Sequence, residues 1–260
     1  MPETDLPLLI DAARAAGRIA LQHFAGDRKA TEKPGDLGPV TAADLAVDQF
    51  LREKLLSARP DYGWLSEETE DDASRLNADR VFVVDPIDGT RAFIDGGRAW
   101  SHSIAVVERG RSIAAVVYLP RLETIYSAFL GGGAHKDGYP IHSSRQDHLN
   151  GAKFLLNATQ LNPKYWPGGV PPVERHFRSS IAYRLCLAGE GRFEGMLTFR
   201  DTWEWDVAAG ALIASEAGAV VTDRDGGEIL LNNREPSLAG IIAAPQPLHG
   251  AILSRIAPAA

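Results

Sequence analysis

The chain has 260 residues, 45% of them hydrophobic, and a formal net charge of −7. This length and composition suffice for one large domain or for two smaller ones that share a core. The negative charge argues against a nucleic-acid polymer as partner, because that affinity comes mainly from Lys and Arg side chains that displace counterions. A small phosphorylated molecule is compatible with the charge if bound cations supply the missing positive charge.

Cysteine content and hydropathy both favour a cytoplasmic location. Cys186 is the single cysteine, so the chain forms no internal disulfide and no thiolate metal cage, which fits a reducing environment. The residues after Met1 lack the basic and apolar regions of a secretory signal, and no stretch approaches the ~18 apolar residues of a membrane span. We expect a cytoplasmic protein that makes no membrane contact.

Helical periodicity dominates the first part of the chain. Apolar residues recur at helical spacing from Leu8 to Phe24, which predicts an amphipathic helix. The charged stretch from Asp27 to Pro39 contains Pro and Gly and predicts a surface loop, and whether this loop closes over a substrate is left open. A second helix is expected from about Thr41 to Leu56, with a capping box between Thr41 and Asp44.

The middle of the chain predicts a sheet. Val81 to Val84 is a short apolar run that stops at Asp85-Pro86, the pattern of a strand buried on both faces. Three further runs predict an antiparallel meander: Ser103–Val107, Ile113–Tyr118 and Thr124–Phe129. The N-terminal half is therefore expected to contain helix, helix and sheet in this order.

The second half predicts an α/β arrangement. The stretch from Gly131 to Pro172 is rich in Gly, Pro and Asn and predicts a soft boundary between two subdomains, 1–145 and 146–260. Beyond it, short apolar runs alternate with helical stretches. The apolar runs lie near Phe154 and at Phe193–Phe199, Ala219–Thr222 and Gly240–Ala244, and the helical stretches at Ser180–Ala188, Val207–Ala217 and His249–Ile256.

The run from Asp85 to Thr90 (Asp-Pro-Ile-Asp-Gly-Thr) is the strongest local signal for chemistry. It places two carboxylates directly after a buried strand, where the ligands of α/β sheets usually gather. Pro86 stiffens the turn, Gly89 permits a close backbone approach, and Thr90 could begin a helix whose N–H groups hold a phosphate. Because the same dipeptides also form ordinary turns, the run gains its significance from further acidic residues.

Three more carboxylates are candidates, and each has an ordinary structural alternative. Glu67 ends a short apolar run, whereas the acidic run Glu70–Asp72 after it predicts a solvated loop. Asp44 completes the predicted capping box, and Asp206 is suited to be the N-cap of the helix that follows it. Carboxylates without neighbouring His or Cys select hard cations, so a convergent site would hold Mg²⁺ or Mn²⁺.

The remaining polar and aromatic candidates are weaker. The histidines, including His102, show no paired metal spacing and are assigned to solvated or core positions. Cys186 lies in an apolar helical context, which favours packing over nucleophilic chemistry. Trp203 and Trp205 could line a pocket or fill the core, and we favour the core.

Glu67-Glu68, the run Asp85–Thr90 and Trp205-Asp206, in this order, resemble the inositol monophosphatase superfamily over nearly the whole chain. The resemblance implies a layered αβαβα fold of mixed α/β and α+β character. It also implies a lithium-sensitive phosphomonoesterase that uses two or three Mg²⁺ ions, for which Mn²⁺ is a possible substitute. Many members are homodimers, which makes a homodimer the expected assembly.

The same resemblance assigns roles by motif position. It implies these metal ligands: Glu67, Asp85, the main-chain carbonyl of Ile87, Asp88 and Asp206. Asp44 and Thr90, together with Glu67, would form the catalytic group that positions and deprotonates the attacking water. The implied substrate contacts are Asp88, Gly89, Thr90, Ser180 and Asp206.

The family spans several substrates, and the sequence leaves alternatives open. Inositol phosphatases usually carry a Glu about seven residues before the last Asp, where Thr198 and Phe199 stand here. Leu65–Glu68 and the segment Ser179–Gly191 look more like bacterial 3′(2′),5′-bisphosphate nucleotidases, which convert 3′-phosphoadenosine 5′-phosphate (PAP) to AMP and phosphate. The run Asp85–Ile94, with Arg91, also looks like the histidinol-phosphate branch. We expect the nucleotidase; the alternatives are an inositol-1-monophosphatase, a histidinol-phosphatase or, in another class, a regulatory or binding protein on the same fold.

Overall fold

The computed structural model describes residues 4–26, 28–33, 38–71 and 73–256. The α-helices of these residues are α1 (Leu6–Ala25), α2 (Ala42–Ala58), α3 (Thr90–Ile94), α4 (Ile181–Gly189), α5 (Glu204–Glu216) and α6 (Gln246–Leu253). The strands are β1 (Ala30–Glu32), β2 (Pro39–Thr41), β3 (Gly63–Ser66), β4 (Arg80–Asp88), β5 (Ser101–Glu108), β6 (Arg111–Leu119), β7 (Thr124–Phe129), β8 (Ala134–Lys136), β9 (Tyr139–Ile141), β10 (Lys153–Leu155), β11 (Glu174–His176), β12 (Gly195–Thr198), β13 (Thr202–Trp203), β14 (Val220–Thr222), β15 (Ser237–Leu238) and β16 (Ile241–Ala244).

Helices and sheets alternate in five layers. α1 and α2 pack on one face of a sheet with strand order β3-β4-β5-β6-β7-β8-β9, in a core that includes Leu9, Leu51 and Phe82. α4 and α5 cover the other face and separate it from a second sheet, of order β11-β10-β12-β16-β14. α6 packs on the outer face of that second sheet. These layers confirm the predicted αβαβα fold.

The capping box at the start of α2 forms as predicted. The Thr41 side chain accepts a hydrogen bond from the N–H of Ala43, and Asp44 accepts one from the N–H of Thr41. These bonds satisfy backbone groups that have no partner inside the helix. They also fix the position of Asp44 in the first turn of α2.

The expected surface loop from Asp27 to Pro39 contains secondary structure. β1 and β2 pair antiparallel, with Ala30 opposite Thr41, so that each strand completes the backbone hydrogen bonds of the other. The prediction of a loop without strands is therefore wrong for the described residues of this segment. Asp27 and residues 34–37, which belong to the possible lid, lie outside the described residues.

The first sheet matches the predicted strands. The run Val81–Val84 lies within β4 and is fully buried, and β5, β6 and β7 form the predicted antiparallel meander. β3 runs parallel to β4, so both strands end at the same edge of the sheet. β4 continues past the predicted run to Asp88, so Asp85 and Asp88 lie in the last residues of the strand rather than after it. Glu67, which follows β3, is brought to the same edge.

The second half also alternates strands and helices, but two helices begin earlier than predicted. α5 begins at Glu204 rather than Val207, and α6 begins at Gln246 rather than His249. The chain passes from the first sheet to the second between β9 and β10, and the subdomain boundary near residue 145 stays a prediction. In the described part of the chain, no helix is both long enough and apolar enough to cross a membrane.

Candidate functional site

A β-bulge near the end of β4 turns two aspartates to the same side of the sheet. In a regular strand, side chains three residues apart point to opposite faces. Asp85 lies opposite Ser103 and Asp88 opposite Ser101, so β4 contains one residue more than β5 over this interval. As a result, both carboxylates lie on the face that α4 and α5 cover.

Asp206 joins these two aspartates from α5. Asp85, Asp88 and Asp206 each offer a carboxylate oxygen, and the three oxygens lie within 4.8 Å of one another. Asp206 lies in the first turn of α5, whereas the N-cap is Trp203, the last residue of β13. The interpretation of Asp206 as an N-cap is therefore wrong, because α5 begins directly after β13, two residues before Asp206. An acidic residue in the first turn is still favoured by the helix dipole.

The N-terminus of α4 holds Asp88. The Asp88 carboxylate accepts hydrogen bonds from Ser180 Oγ (2.6 Å) and from the N–H groups of Ile181 (3.1 Å) and Ala182 (2.7 Å). Ser180 is fully buried, so its hydroxyl orients Asp88 and does not face the pocket. This placement is at odds with the prediction of Ser180 as a substrate contact. Its neighbour Ser179 lines the pocket instead.

The three aspartates fit a cation. Burial, followed by the charges of neighbouring carboxylates, raises the pKa of Asp85 and of Asp206 well above the usual range. Burial raises the pKa of Asp88 to about 6. Asp85 Oδ1 is buried and has no hydrogen-bond partner among the described residues. Carboxylates that repel one another and leave an oxygen unsatisfied need a positive ion, and a purely oxygen set of ligands suits Mg²⁺.

Glu67 stands beside this group and pairs with a lysine. It is not one of the three carboxylates within 4.8 Å, but its charge acts on Asp85 and Asp206. Lys33 Nζ lies 2.7 Å from Glu67 Oε1 and 2.6 Å from Glu68 Oε1. Burial opposes the Lys33 ammonium, but the two carboxylates outweigh it and raise the Lys33 pKa. Sequence reasoning missed Lys33, since it stands in a charged stretch where no local pattern distinguishes it.

Asp44, Ile87 and Thr90 meet at the start of α3. Thr90 Oγ1 lies 3.1 Å from the carbonyl oxygen of Ile87 and 3.4 Å from Asp44 Oδ1. Burial raises the pKa of Asp44, the capping residue of α2, to about 6. Gly89 precedes α3 with φ +97°, a conformation that favours glycine, and a Cβ there would lie 3.1 Å from the Ala99 carbonyl oxygen.

One cavity of about 570 Å³ joins the acidic residues to a basic and aromatic wall. The acidic side and the turn before α3 contribute Glu67, Gly89, Thr90 and Asp206, and the wall contributes Arg91, Phe177, Arg184, Arg200 and Trp203. Asp85 and Asp88 lie buried behind this surface. The cavity therefore brings carboxylates together with basic and aromatic side chains.

The wall contains residues that sequence reasoning missed or misassigned. α4, described throughout, has Arg184 as its only charged residue, and the Arg184 guanidinium lies 5.3 Å from the Phe177 ring centroid. A single charge in an apolar helix was the signal that could have identified Arg184. Trp205 is buried as predicted, but Trp203, stacked on it at 5.0 Å between centroids, is 37% exposed and lines the cavity.

Comparisons with known proteins agree with this geometry. The model of the inositol monophosphatase family matches residues 1–259. The chain is 31% identical over 235 residues to the inositol-1-monophosphatase of Rhizobium meliloti (85% of this chain, 86% of that protein). It is also 31% identical over 230 residues to the 3′(2′),5′-bisphosphate nucleotidase CysQ of Salmonella typhimurium (87% and 93%). The crystal structure of the extragenic suppressor protein suhB from Bartonella henselae matches with a TM-score of 0.82 at 26% identity, over 96% of this chain and 97% of that one.

The family match, these two relatives and the shared fold agree with the acidic cluster at the end of β4. The chain therefore belongs to the inositol monophosphatase family and is a phosphoric monoester hydrolase.

Proposed function

We propose that the chain is a Mg²⁺-dependent, lithium-sensitive phosphomonoesterase that acts on 3′(2′),5′-bisphosphate nucleotides, with PAP to AMP and phosphate as the leading reaction. A monophosphatase and a nucleotidase are equally similar to it in sequence, so the choice between substrates rests on the pocket. One observation carries the proposal: the same cavity is lined by carboxylates and by a wall of aromatic and basic side chains.

The predicted ligands would hold two or three Mg²⁺ ions, or Mn²⁺ in their place. These ligands are Glu67, Asp85, the Ile87 carbonyl, Asp88 and Asp206. When bound, the ions lower the pKa of a water molecule and neutralise charge on the phosphoryl and leaving oxygens. Lys33 would have to give up its pairing with Glu67 before Glu67 could face a cation.

The residues around Thr90 have roles in the proposed hydrolysis. Asp44 and Thr90, with side-chain oxygens 3.4 Å apart, orient the attacking water. Asp44 receives the proton of this water, since a carboxyl with a pKa of about 6 is close to the pH at which it works. The N–H groups of Gly89 and Thr90 donate to the phosphate oxygens as α3 begins.

The wall supports a nucleotide with two phosphates. Phe177 and Trp203 are 42% and 37% exposed, and their flat faces can stack on a base. Arg184 and Arg200 offer fixed positive charge to the phosphate that is not cleaved. Phe199, seven residues before Asp206, is buried in the core, so that position offers no side chain to the hydroxyls of an inositol ring.

One observation favours the inositol-1-monophosphatase as a second candidate. Asp201 lines the cavity, and its carboxylate could accept hydrogen bonds from ring hydroxyls. In this structure Asp201 pairs with Arg224 at 3.2 Å. Arg91 also lines the cavity and keeps the histidinol-phosphatase alternative open.

A side-by-side assay decides between these substrates. kcat/KM is measured in Mg²⁺ for PAP, inositol 1-phosphate, fructose 1,6-bisphosphate and histidinol phosphate. We expect PAP to be preferred by at least ~100-fold, worth about 2.7 kcal/mol of differential transition-state binding. Equal turnover of inositol 1-phosphate would refute the nucleotidase, and no phosphate release from any of them would favour the regulatory or binding protein.

Matched variants test the role of the wall. Arg184→Gln should lower kcat/KM for PAP much more than for 3′-AMP, which lacks the second phosphate. Asp201→Asn should leave PAP hydrolysis unchanged, because that carboxylate pairs with Arg224 in our assignment. Loss of both substrates to the same extent in Arg184→Gln would show that Arg184 does not recognise a second phosphate.

The proposal also covers the oligomeric state of the protein, its inhibition by lithium and its location in the cell. Inhibition of phosphate release by Li⁺ is the expected response of the proposed site. We propose a homodimer that acts on small phosphorylated metabolites in the cytoplasm, in keeping with the family and with the single cysteine. Light scattering coupled to size exclusion measures the assembly directly.

A further inference from the structure

His102 lies opposite the bulge that creates the acidic cluster. On β5 it stands between Ser101 and Ser103, the partners of Asp88 and Asp85, so one residue of β5 faces two residues of β4. Ser101 and Ser103 reach toward Ser180 and the Trp205 carbonyl on the α4 and α5 side. Because side chains alternate along a strand, His102 points to the opposite face of the sheet.

There, His102 supplies a hydrogen bond that the bulge makes necessary. A bulge interrupts the ladder and leaves backbone groups without their usual partners. Pro86 lies in the bulge. Because it has no N–H, its carbonyl is its one polar backbone group, and a buried carbonyl needs a hydrogen-bond partner. His102 Nδ1 is hydrogen-bonded to this carbonyl oxygen, and His102 is fully buried.

The protonation state of His102 follows from these contacts. A carbonyl oxygen only accepts, so Nδ1 carries the proton. Burial lowers the pKa of His102 to about 4, and the ring is therefore neutral at pH 7. Nε2 is buried, and the described part of the chain offers it no partner. The hydrogen bond from Nδ1 to the Pro86 carbonyl is thus the polar contact through which the His102 ring can affect the bulge.

Simple packing does not account for a histidine at this position. The ring lies in an aromatic setting, with the rings of Trp100 and Tyr118 at 5.8 Å and 6.3 Å between centroids. An apolar side chain would fill this space without leaving a buried ring nitrogen unsatisfied. The unsatisfied Nε2 is tolerated because Nδ1 does what an apolar side chain cannot do.

We propose that His102 is a positioning residue for the metal centre: by holding the Pro86 carbonyl, it locks the bulge that turns Asp85 and Asp88 to one face. Without this donor, the Pro86-Ile87 peptide rotates to find another partner. That rotation changes φ of Ile87 and thereby shifts the next peptide, which carries the Ile87 carbonyl that Thr90 contacts at 3.1 Å, and it changes the spacing of the two carboxylates. This inference rests on the proposed metal site.

The experiment measures Mn²⁺ binding to the full chain by electron paramagnetic resonance, without substrate, next to the Mg²⁺ concentration for half-maximal activity. His102→Leu removes the donor at similar volume. His102→Asn keeps an N–H near the place of Nδ1, whereas His102→Gln moves it toward the place of Nε2. His249→Leu is the matched control, since His249 is also buried and hydrogen-bonded, to Thr222, but lies outside the pocket.

We expect His102→Leu and His102→Gln to weaken Mn²⁺ binding by about 10-fold, and to raise the Mg²⁺ requirement by a similar factor, because partners behind metal ligands set affinity to this extent. His102→Asn should recover most of the affinity, and His249→Leu should lose stability without losing Mn²⁺ affinity. If His102→Leu does not fold, the comparison of Asn with Gln decides.

Two results would overturn the inference. One is Mn²⁺ affinity in His102→Leu equal to that of the wild type, and the other is equal affinity in the Asn and Gln variants. These differ from a failure of the proposed function, in which the wild-type protein itself binds no Mn²⁺ and the inference falls with the metal site.

Discussion

The aspartates of the cluster are held together against their own repulsion. Asp85 is fully buried within the fold, one of its oxygens has no partner among the described residues, and the nearby carboxylates add to the effect of burial in raising its pKa. Such an arrangement destabilises the metal-free protein and is compensated when a cation binds. These residues therefore favour cation binding at the expense of the stability of the metal-free protein.

Asp85→Asn separates these two effects. The substitution removes one buried negative charge at almost constant volume, so the Tm in EDTA should rise, while Mn²⁺ affinity should fall by at least ~100-fold. Differential scanning calorimetry and Mn²⁺ titration measure both quantities. Asp61→Asn is the control at an exposed position and should change neither. A lower Tm in EDTA for Asp85→Asn would contradict this account of the cluster.

The pH dependence of the metal-free protein follows from the same residues. Burial raises the pKa of Asp44 and of Asp88 from 3.8 to about 6 in the folded protein. The folded state therefore binds protons more tightly than the unfolded state, and stability is lost as pH rises from about 4 through about 6. In EDTA, the Tm should be higher at pH 5.5 than at pH 7.5. Saturating Mg²⁺ should remove this difference, and a Tm in EDTA that is highest at pH 7.5 would exclude it.

At the scale of elements, the turn from β4 into α3 depends on Gly89. Gly89→Ala should cost about 1 kcal/mol because of its positive φ, and it should also push against the Ala99 carbonyl and displace Thr90. Gly138→Ala is the matched control: φ is +84°, and no described atom lies within 4 Å of the added Cβ. Denaturant unfolding should show a loss in both variants, but phosphate release should fall only in Gly89→Ala. Equal activities would show that the turn tolerates a side chain.

The elements show which features a sequence can predict. α1 follows from helical periodicity, whereas β4 and the meander β5-β6-β7 follow from continuous apolar runs, because their central residues are buried on both faces. The bulge in β4 does not follow from periodicity, since its extra residue appears only when β4 is aligned with β5. The hairpin of β1 and β2 was missed for a similar reason, because strands of three residues are too short to show a hydrophobic pattern.

In the candidate site, too, some residues can be predicted from the sequence and others cannot. Asp85 and Asp88 come directly after the apolar run Val81–Val84, so their sequence context identifies them, and the family resemblance supplied the roles of Glu67 and Asp206. Lys33 reaches Glu67, and Trp203 reaches the cavity, through tertiary contacts that no local pattern records. Ser180 was assigned to substrate because its neighbours suggested a nucleotidase, whereas its buried hydroxyl is bonded to Asp88.

At the scale of the whole molecule, a buried network joins the two halves that supply the carboxylates. Glu204, in the first turn of α5, accepts hydrogen bonds from the N–H groups of Asn232 (2.6 Å) and Asn233 (2.9 Å). Arg75, from the first half, donates to Asn232 Oδ1 (2.6 Å) and to the Asn233 carbonyl (2.9 Å), and it pairs with Asp71 (2.7 Å). The network therefore connects the segment after Glu67 with the helix that carries Asp206.

Glu204→Ala tests this connection. It leaves buried donors without an acceptor, so we expect a loss of ~3 kcal/mol and a fall in Tm of roughly 6–12 °C. The Mg²⁺ requirement should rise as well, because the start of α5 loses its anchor. Glu235→Ala, at an exposed position, should leave both quantities unchanged. An unchanged Mg²⁺ requirement in Glu204→Ala would mean that the network stabilises the fold without positioning Asp206.

The central claim is that the carboxylates at the end of β4 and the start of α5 form a Mg²⁺ site that supports phosphomonoester hydrolysis. The most direct measurement is phosphate release from PAP by the wild-type protein and by Asp206→Asn, first in EDTA and then during titration with Mg²⁺. The account predicts no release in EDTA, recovery of the wild type with Mg²⁺, and no recovery of Asp206→Asn although it remains folded by circular dichroism. Full activity in EDTA, or a normal Mg²⁺ response in Asp206→Asn, would contradict it.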